Sequence, residues 1–133
     1  MTRINLVHPQ HLTQRHLNAE YKEITHFLWC VRRRADNEQD LSDIPEKYTL
    51  NKGHCLFFYD KGEYIDKRLC ALKDEIVARG GNLDVDLFHI RRRKVLDAYP
   101  AKWYNDYEPD EHAFSLVISR IGTRIEQKPH LYP

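Results

Sequence analysis

Between about residues 12 and 35, apolar side chains recur every three or four positions, the spacing of one face of an α-helix. This apolar stripe consists of Leu17, Tyr21, Ile24, Leu28, Val31 and Ala35. At roughly 100° per residue, the opposite side of the helix carries Arg15, Lys22, His26 and Arg33 and must face water or a partner. Glu23 falls at the edge of that basic side. The pattern therefore predicts an amphipathic first helix with one acid bordered by cations.

Two later segments have the same helical spacing and are expected to form helices over about residues 60–79 and 109–127. Gly80 and Gly81 should end the second helix as a C-cap, and Pro109 suits the first turn of the third. Gly122 costs the third helix about 1 kcal/mol relative to alanine, which predicts close packing or local weakness there. The apolar stripes are Ile65, Leu69, Leu72 and Ile76 in the second helix, and Phe114, Ile118, Ile121 and Ile125 in the third.

The remaining segments have weaker signals. Residues 36–52 are polar, include Pro45, and are expected to form a loop. The run Leu56 to Tyr59 is too short and isolated for a strand, which favours core packing over the alternative of stacking on nucleobases. We therefore predict an all-α fold: a single compact domain over residues 1–133, with three main helices, irregular connecting loops and an N-terminal arm packed on the bundle.

Residues 82–107 contain the basic cluster Arg91 to Lys94, followed by the aromatic residues Trp103, Tyr104 and Tyr107. Basic and aromatic side chains together are what flipped or single-stranded nucleotides require, because cations hold phosphate and rings stack on bases. A solvated basic run beside a tryptophan that caps the core is the other interpretation. Both remain open for the cluster, whereas Trp103 is expected in the core.

Length and charge limit the possible functions. The chain has 133 residues with 21 basic and 20 acidic side chains, a net charge of +1, so affinity for DNA would require local clustering of cations. The sequence contains no run of 18 apolar residues and no secretory signal, which predicts a cytoplasmic protein. The three cysteines lack C-x-x-C spacing and are predicted to be reduced and mostly buried.

The first residues suggest a chemistry. A small Thr2 permits removal of Met1, and the exposed α-amine, with an ordinary pKa of about 7.7 to 8.0, is partly neutral at physiological pH and can act as a nucleophile. Most chains that begin in this way do not use the terminus. Glu23 is likewise a candidate catalytic acid or, as is more common, a solvated acid in helical ion pairs.

Several motifs resemble the endonuclease V-like pyrimidine-dimer DNA glycosylases of bacteriophage. They are MTRINL, HLNAEYKE, GHCLFFYDKGEYIDKR and DYEP followed by a helix that ends in IEQKP. The resemblance covers most of residues 1–35, 53–84 and 106–129, and the motifs occur in the same order at similar separations. Residues 36–52 and 85–105 match poorly. The likeness is therefore specific in three blocks and weak in the two segments that separate them.

In that family the processed N-terminal threonine attacks C1′ of the damaged nucleotide and forms an imine, and an acid supports the β-elimination that cuts the strand. The resemblance implies that Thr2 and Glu23 have these catalytic roles. Lys22 and His26 stand where the phage enzyme has arginines, and the chain lacks its aromatic tail apart from Tyr132. The residues predicted to bind the DNA substrate are Arg3, His16, Lys22, His26, Arg32, Arg33, Arg120 and Arg124.

Together with these observations, the resemblance implies a bifunctional DNA glycosylase and abasic-site lyase that acts, as a monomer, on pyrimidine dimers or related damage in double-stranded DNA. It also implies a nucleoid-associated protein of a bacterial or phage-infected cell. No cofactor is predicted, because the amine itself supplies covalent catalysis. No metal site is predicted either, since the spacing of His8, His11 and His16 matches no common ligand pattern. The alternatives are a lyase for another lesion or for abasic sites, a catalytically silent DNA-binding protein, and a small helical interaction protein.

Overall fold

A computed structural model describes residues 4–50 and 53–132, apart from the side chains of Thr25 and Ala98. The part of the chain that it describes contains helices and no β-strand, which confirms the predicted all-α fold class. Short 3-10 turns occur at Pro9–His11, Ala101–Trp103 and Pro129–Leu131. The α-helices are α1 (Gln14–Asp36), α2 (His54–Phe57), α3 (Gly62–Ala78), α4 (Val85–Ala98) and α5 (Glu111–Gln127).

Helix α1 forms where the apolar stripe predicted it. The side-chain oxygen of Thr13 accepts a hydrogen bond from the His16 N–H at 3.1 Å and so caps the first turn. Most of the stripe is buried, and Tyr21 and Ala35 are partly buried at its margins. The polar residue Glu20 is also buried on this face, only 1% exposed. Helices α1, α3 and α4 pack against one another and enclose most of the core.

Helix α3 has the buried stripe and the C-terminal cap that the sequence predicted. The predicted stripe Ile65, Leu69, Leu72 and Ile76 is buried throughout. Gly80 adopts a left-handed φ of +77°, and its N–H donates to the Val77 carbonyl at 2.9 Å. The Gly81 N–H donates to the Ile76 carbonyl at 2.9 Å. The two glycines therefore form the predicted C-cap.

Helix α4 was absent from the sequence-based prediction, so the bundle has four long helices rather than three. Only Phe88 and Val95 of its apolar residues are buried, whereas Val85, Leu87, Ile90 and Leu96 are exposed. Because apolar residues occur on all sides of α4, its sequence has no clear stripe and conceals the helical period. The Asp84 carboxylate, which accepts from the Leu87 N–H at 3.0 Å, marks the start of the helix.

Helix α5 corrects two predictions. It begins at Glu111 after the N-cap Asp110, so Pro109 precedes the helix instead of occupying its first turn. Ala113 and Val117 are the buried residues, whereas Ile118, predicted in the core, is 59% exposed. A Cβ added to Gly122 would meet no atom within 4 Å, so close packing does not explain that glycine.

The short aromatic segment and Trp103 lie in the core, as predicted. Phe57 and Phe58 are 2% and 0% exposed, and Trp103 is 6% exposed. All three cysteines are free thiols, but each is partly rather than fully buried, so the prediction of buried cysteines was wrong in degree. Within the described residues, no helix has the length and apolar character needed to span a membrane.

Candidate active site

The N-terminal arm lies against α1, and its residues 4–6 are buried. Ile4, Asn5 and Leu6 are at most 5% exposed. The Ile4 N–H donates to His54 Nε2 at 2.8 Å, and the Tyr48 hydroxyl donates to the Ile4 carbonyl at 3.1 Å. Backbone groups of the arm are thus paired with side chains from distant parts of the chain. This segment has the packing on the bundle that its sequence predicted.

A buried carboxylate holds the arm to α1. The backbone and side-chain N–H groups of Asn5 donate to Glu20 Oε1 at 3.1 and 2.9 Å. Arg68 of α3 donates to the same carboxylate through Nε at 2.6 Å and Nη2 at 3.0 Å, and its Nη2 also donates to the Asn5 carbonyl at 2.9 Å. Arg68 is 5% exposed. Two buried charges are tolerated here because each makes several charge-assisted hydrogen bonds.

A cavity of about 500 Å³ opens beside this buried pair and contains Glu23, one helical turn beyond Glu20. Glu23 is partly buried, and within the described chain no hydrogen bond or ion pair reaches its carboxylate. Asn5 also lines the cavity, so the arm and the predicted catalytic acid meet there. The lining residues are Asn5, Arg15, His16, Ala19, Glu20, Glu23, Arg120, Ile121, Arg124, Lys128, Leu131 and Tyr132.

Cations from both ends of the chain form the walls of this cavity. Arg15 comes from α1, Arg120 and Arg124 come from α5, and Lys128 follows α5. The Nε of Arg120 is buried and, among the described residues, has no hydrogen-bond partner. A buried donor on a charged group costs free energy until an acceptor satisfies it. The site is therefore suited to an anionic ligand such as a phosphate.

An aromatic pair closes one side of the cavity. The rings of His16 and Tyr132 are stacked, with centroids 4.9 Å apart and an angle of 15° between their planes. Burial lowers the pKa of His16 below its ordinary value of 6.5, and the neighbouring Arg124 guanidinium lowers it further. Both effects favour the neutral imidazole ring, which presents an aromatic surface to the cavity.

The other residues predicted to bind DNA lie at increasing distances along α1. Lys22 is exposed and borders a shallow groove that adjoins Glu23. His26 and Arg33 flank the indole of Trp29, and Arg32 Nε lies 3.9 Å from Asp36. These side chains occupy the later turns of the helix, away from the cavity.

Thr2 and Arg3, the predicted nucleophile and its neighbour, lie outside the described residues. Sequence reasoning also missed Asn5, Glu20 and Arg68. A signal for Glu20 was present, because it falls among the apolar positions of α1, between Leu17 and Ile24. A carboxylate on a buried face requires a buried partner.

Comparison with known proteins identifies the family of the chain. The model of one protein family, described as pyrimidine dimer DNA glycosylase, matches residues 1–89 of the 133-residue chain. The match includes the arm, α1 and α3, and therefore both Glu20 and Glu23, but ends before Arg120 and Arg124. The chain belongs to the pyrimidine dimer DNA glycosylase family.

Proposed function

We propose that this DNA glycosylase also cleaves the strand as an abasic-site lyase, through an imine formed by its N-terminal Thr2, on damaged pyrimidines in duplex DNA. The observation that carries the proposal is a cavity lined by Asn5 of the arm, by Glu23 and by Arg120. Among the described residues, the Glu23 carboxylate has no partner and the buried Nε of Arg120 has no acceptor. We further propose that residues 1–133 act as one domain and as a monomer on this substrate.

The geometry supports a role for Glu23 rather than Glu20. Both carboxylates line the cavity, but Glu20 already accepts hydrogen bonds from Asn5 and Arg68. No described residue pairs with the Glu23 carboxylate, and we propose that its oxygen lone pairs accept a substrate proton or stabilise a developing positive charge. In the proposal, Glu23 supports imine formation and the β-elimination that follows.

The length of the arm between Thr2 and Asn5 is compatible with Thr2 as the nucleophile. Asn5 is fixed at Glu20, and Glu23 lies about 4.5 Å further along the helix axis. Three residues of extended chain span at most about 10 Å. We propose that, once Met1 is removed, an extended arm of this length brings the α-amine of Thr2 into the space beside Glu23.

The bond changes balance without a cofactor. The amine nitrogen forms a bond to C1′ as the bond from C1′ to the base breaks, and opening of the sugar leaves a protonated imine. Loss of a proton from C2′ then expels the 3′ phosphate, and water releases the enzyme from the cut strand. Since C1′ is enclosed in duplex DNA, a nucleotide must leave the stack for the attack to occur.

The cationic walls suit the phosphates on either side of the reacting sugar. We propose that Arg120 and Arg124, with Arg15 and Lys128, hold these phosphates, and that Lys22, His26, Arg32 and Arg33 extend the contact along the strand. Arg3 is proposed to contact the reacting nucleotide. The unsatisfied Nε of Arg120 favours this assignment, because a phosphate oxygen would supply the missing acceptor.

The choice of lesion is proposed to depend on the stacked pair of His16 and Tyr132. Their rings give the cavity an aromatic surface near its basic walls, and damaged bases can stack on such a surface. Comparison of cleavage rates on thymine-dimer, abasic and oxidised-pyrimidine duplexes would establish the preferred lesion. A Tyr132→Ala variant should lose more activity on the base lesions than on the abasic site.

Borohydride trapping tests the lyase proposal. The processed protein is incubated with an abasic duplex and reduced, and a covalent adduct is sought on a denaturing gel. Wild-type protein should form the adduct, whereas protein that retains Met1 or carries a blocked amine should form none. Glu23→Gln should reduce strand cleavage by roughly 100-fold or more, the usual range for a lost acid or base.

Glu46→Gln is the matched control, since Glu46 is an exposed acid outside the cavity. Cleavage by Glu23→Gln at the wild-type rate would remove that residue from the mechanism. Salt-sensitive binding without any adduct from processed protein would instead indicate a catalytically silent DNA-binding member of the family.

A further inference from the structure

The first described residues of the arm, Ile4 and Asn5, have no neighbouring β-strand within the part of the chain that the structure describes. Both residues are buried, and their backbone groups pair with side chains instead. Asn5 is held by Glu20 and Arg68. The N–H of Ile4 is held by His54. A buried backbone group without a partner costs free energy, so these side chains replace the hydrogen bonds that a sheet would otherwise supply.

His54 is 2% exposed, and both nitrogens of its ring face backbone groups. Nε2 accepts a hydrogen bond from the Ile4 N–H at 2.8 Å, and Nδ1 lies 2.8 Å from the carbonyl oxygen of Thr49. An N–H can only donate and a carbonyl can only accept, so the ring has to be neutral with its proton on Nδ1. His54 thus connects the arm to the loop before α2 through one defined tautomer.

Packing fixes the orientation of this ring. The imidazole makes edge-to-face contacts with Tyr48 and Phe58, at centroid distances of 5.4 and 5.6 Å, and both of these aromatic side chains are buried. Gly53 adopts a left-handed φ of +100°, so that α2 begins directly at His54. A ring packed among buried rings has little freedom to turn. Contacts other than its bond to the arm therefore hold the imidazole in place.

The contact between His54 and Ile4 lies close to the start of the chain. One residue separates Ile4 from Thr2, and two residues of extended chain span at most about 7 Å. The N–H groups of Ile4 and Asn5 are each fixed by a buried acceptor, so two successive peptide groups of the arm have a defined direction. His54 itself does not line the cavity that contains Glu23. Any effect of His54 on that cavity must pass through the arm.

We propose that His54 is a positioning residue for imine formation: through the Ile4 N–H, it directs the Thr2 amine toward the candidate active site. This inference rests on the proposed role of the Thr2 amine as nucleophile. An amine on a loosely held terminus would sample many positions, and a misplacement of about 1 Å can reduce the rate of a reaction by about 100-fold. The contribution of His54 is therefore to the rate of attack and not to DNA affinity.

Two amide substitutions separate the two hydrogen bonds of His54. The glutamine side chain carries its oxygen at the ε position and can accept from the Ile4 N–H as Nε2 does. The asparagine side chain carries its nitrogen at the δ position and can donate to the Thr49 carbonyl as Nδ1 does, but it leaves the Ile4 N–H without an acceptor. His54→Gln is therefore the conservative variant and His54→Asn the test variant.

Single-turnover borohydride trapping on an abasic duplex, with processed protein in saturating excess, measures the rate of imine formation separately from binding. His54→Asn should reduce this rate by roughly 10- to 100-fold. Its Kd for a duplex with a reduced abasic analogue, which cannot form an imine, should be unchanged. His54→Gln should restore most of the rate. Equal losses of affinity and rate in His54→Asn would contradict a positioning role.

Phe57→Leu is the matched control for stability. Phe57 is buried in the same aromatic cluster and contacts the ring of Tyr48, but its side chain cannot form a hydrogen bond with the arm. The variant should unfold at a lower temperature, because it removes buried apolar volume, yet keep the wild-type trapping rate where it is folded. If Phe57→Leu and His54→Asn lose the same rate, the effect comes from destabilisation and the proposal is overturned.

Hydrogen exchange followed by NMR tests the contact without DNA. The Ile4 amide should exchange slowly in wild type and in His54→Gln, and much faster in His54→Asn. The Leu17 amide, which donates to the Thr13 carbonyl at 2.9 Å, should be protected equally in all three proteins. Fast exchange of Ile4 in the wild type would overturn the proposal.

The two measurements together distinguish this inference from the proposed function. Protection of the Ile4 amide that depends on His54, without trapping by the wild type, would reject the lyase alone. Trapping by the wild type that His54→Asn leaves unchanged would reject the positioning role alone.

Discussion

Glu20 and Glu23 are identical side chains one turn apart on α1, and they line the same cavity. Glu20 is 1% exposed and accepts hydrogen bonds from the arm and from Arg68. Glu23 is partly exposed and, among the described residues, has no such partner. The difference indicates that one carboxylate stabilises the site while the other remains free for chemistry, and the following substitutions separate the two roles.

Arg68→Ala should have the largest effect. It leaves the Glu20 carboxylate buried without its cation, which typically costs roughly 3–5 kcal/mol of unfolding free energy. Urea denaturation measures the loss, with Arg93→Ala as control because Arg93 is an exposed arginine of α4. Glu23→Gln should change stability by less than about 0.5 kcal/mol, as surface substitutions usually do. A large loss from Glu23→Gln would contradict the division of roles.

Arg120→Met should affect ligand binding more than folding. The buried Nε lacks an acceptor among the described residues, so its removal should not destabilise the protein. Binding to a duplex with an abasic analogue should weaken by roughly 1.5–3 kcal/mol, the range for hydrogen bonds to charged groups. Fluorescence anisotropy checks this value, with the exposed Lys47→Ala as control. A loss of stability without a loss of affinity would make Arg120 a structural residue.

Gly122→Ala should stabilise the α5 side of the cavity. A methyl group there would meet no atom within 4 Å, and alanine is favoured over glycine inside a helix by about 1 kcal/mol. Thermal unfolding should therefore show a higher midpoint for the variant. A lower midpoint would mean that the position requires the freedom of glycine.

The smallest expected effect is a pH dependence from His16. Its folded-state pKa is depressed below 6.5 by burial and by Arg124, so the unfolded chain binds more protons as the pH falls through and below 6.5. Stability contributed by the neutral ring is complete above that range and is lost as the pH falls through the folded-state pKa. The unfolding free energy of wild type relative to that of His16→Asn should therefore decrease as the pH is lowered from 7.5 to 5. A difference that does not vary with pH would contradict it.

The fold was predictable wherever one helix face carries the apolar residues. That pattern located α1 and α3 to within about two residues, and Gly80 marked the end of α3. Helix α4 escaped prediction because its apolar residues are spread around the helix and many remain exposed. In α5 the spacing was correct, but the choice of face placed Ile118 in the core instead of Val117.

The candidate site was less accessible to sequence reasoning. Helical periodicity placed Glu23 beside cations, and the family match covers that residue. The cavity also requires contacts between segments that are far apart in the chain, such as Asn5 with Arg68 and His16 with Tyr132. Such long-range pairings leave no periodic signal, because they depend on how the helices pack.

The buried Asn5 fixes how far the preceding residues of the chain can extend from α1. Asn5 is anchored to Glu20 by two hydrogen bonds. An insertion between Thr2 and Asn5 would therefore lengthen the segment before Asn5 by up to about 3.5 Å per residue and change the distance from the Thr2 amine to Glu23. An insertion in the exposed part of the turn after Val7, where the chain runs along the surface, would leave that distance unchanged. Tolerance to insertions should therefore change abruptly within a few residues, and engineering of this terminus has to respect that boundary.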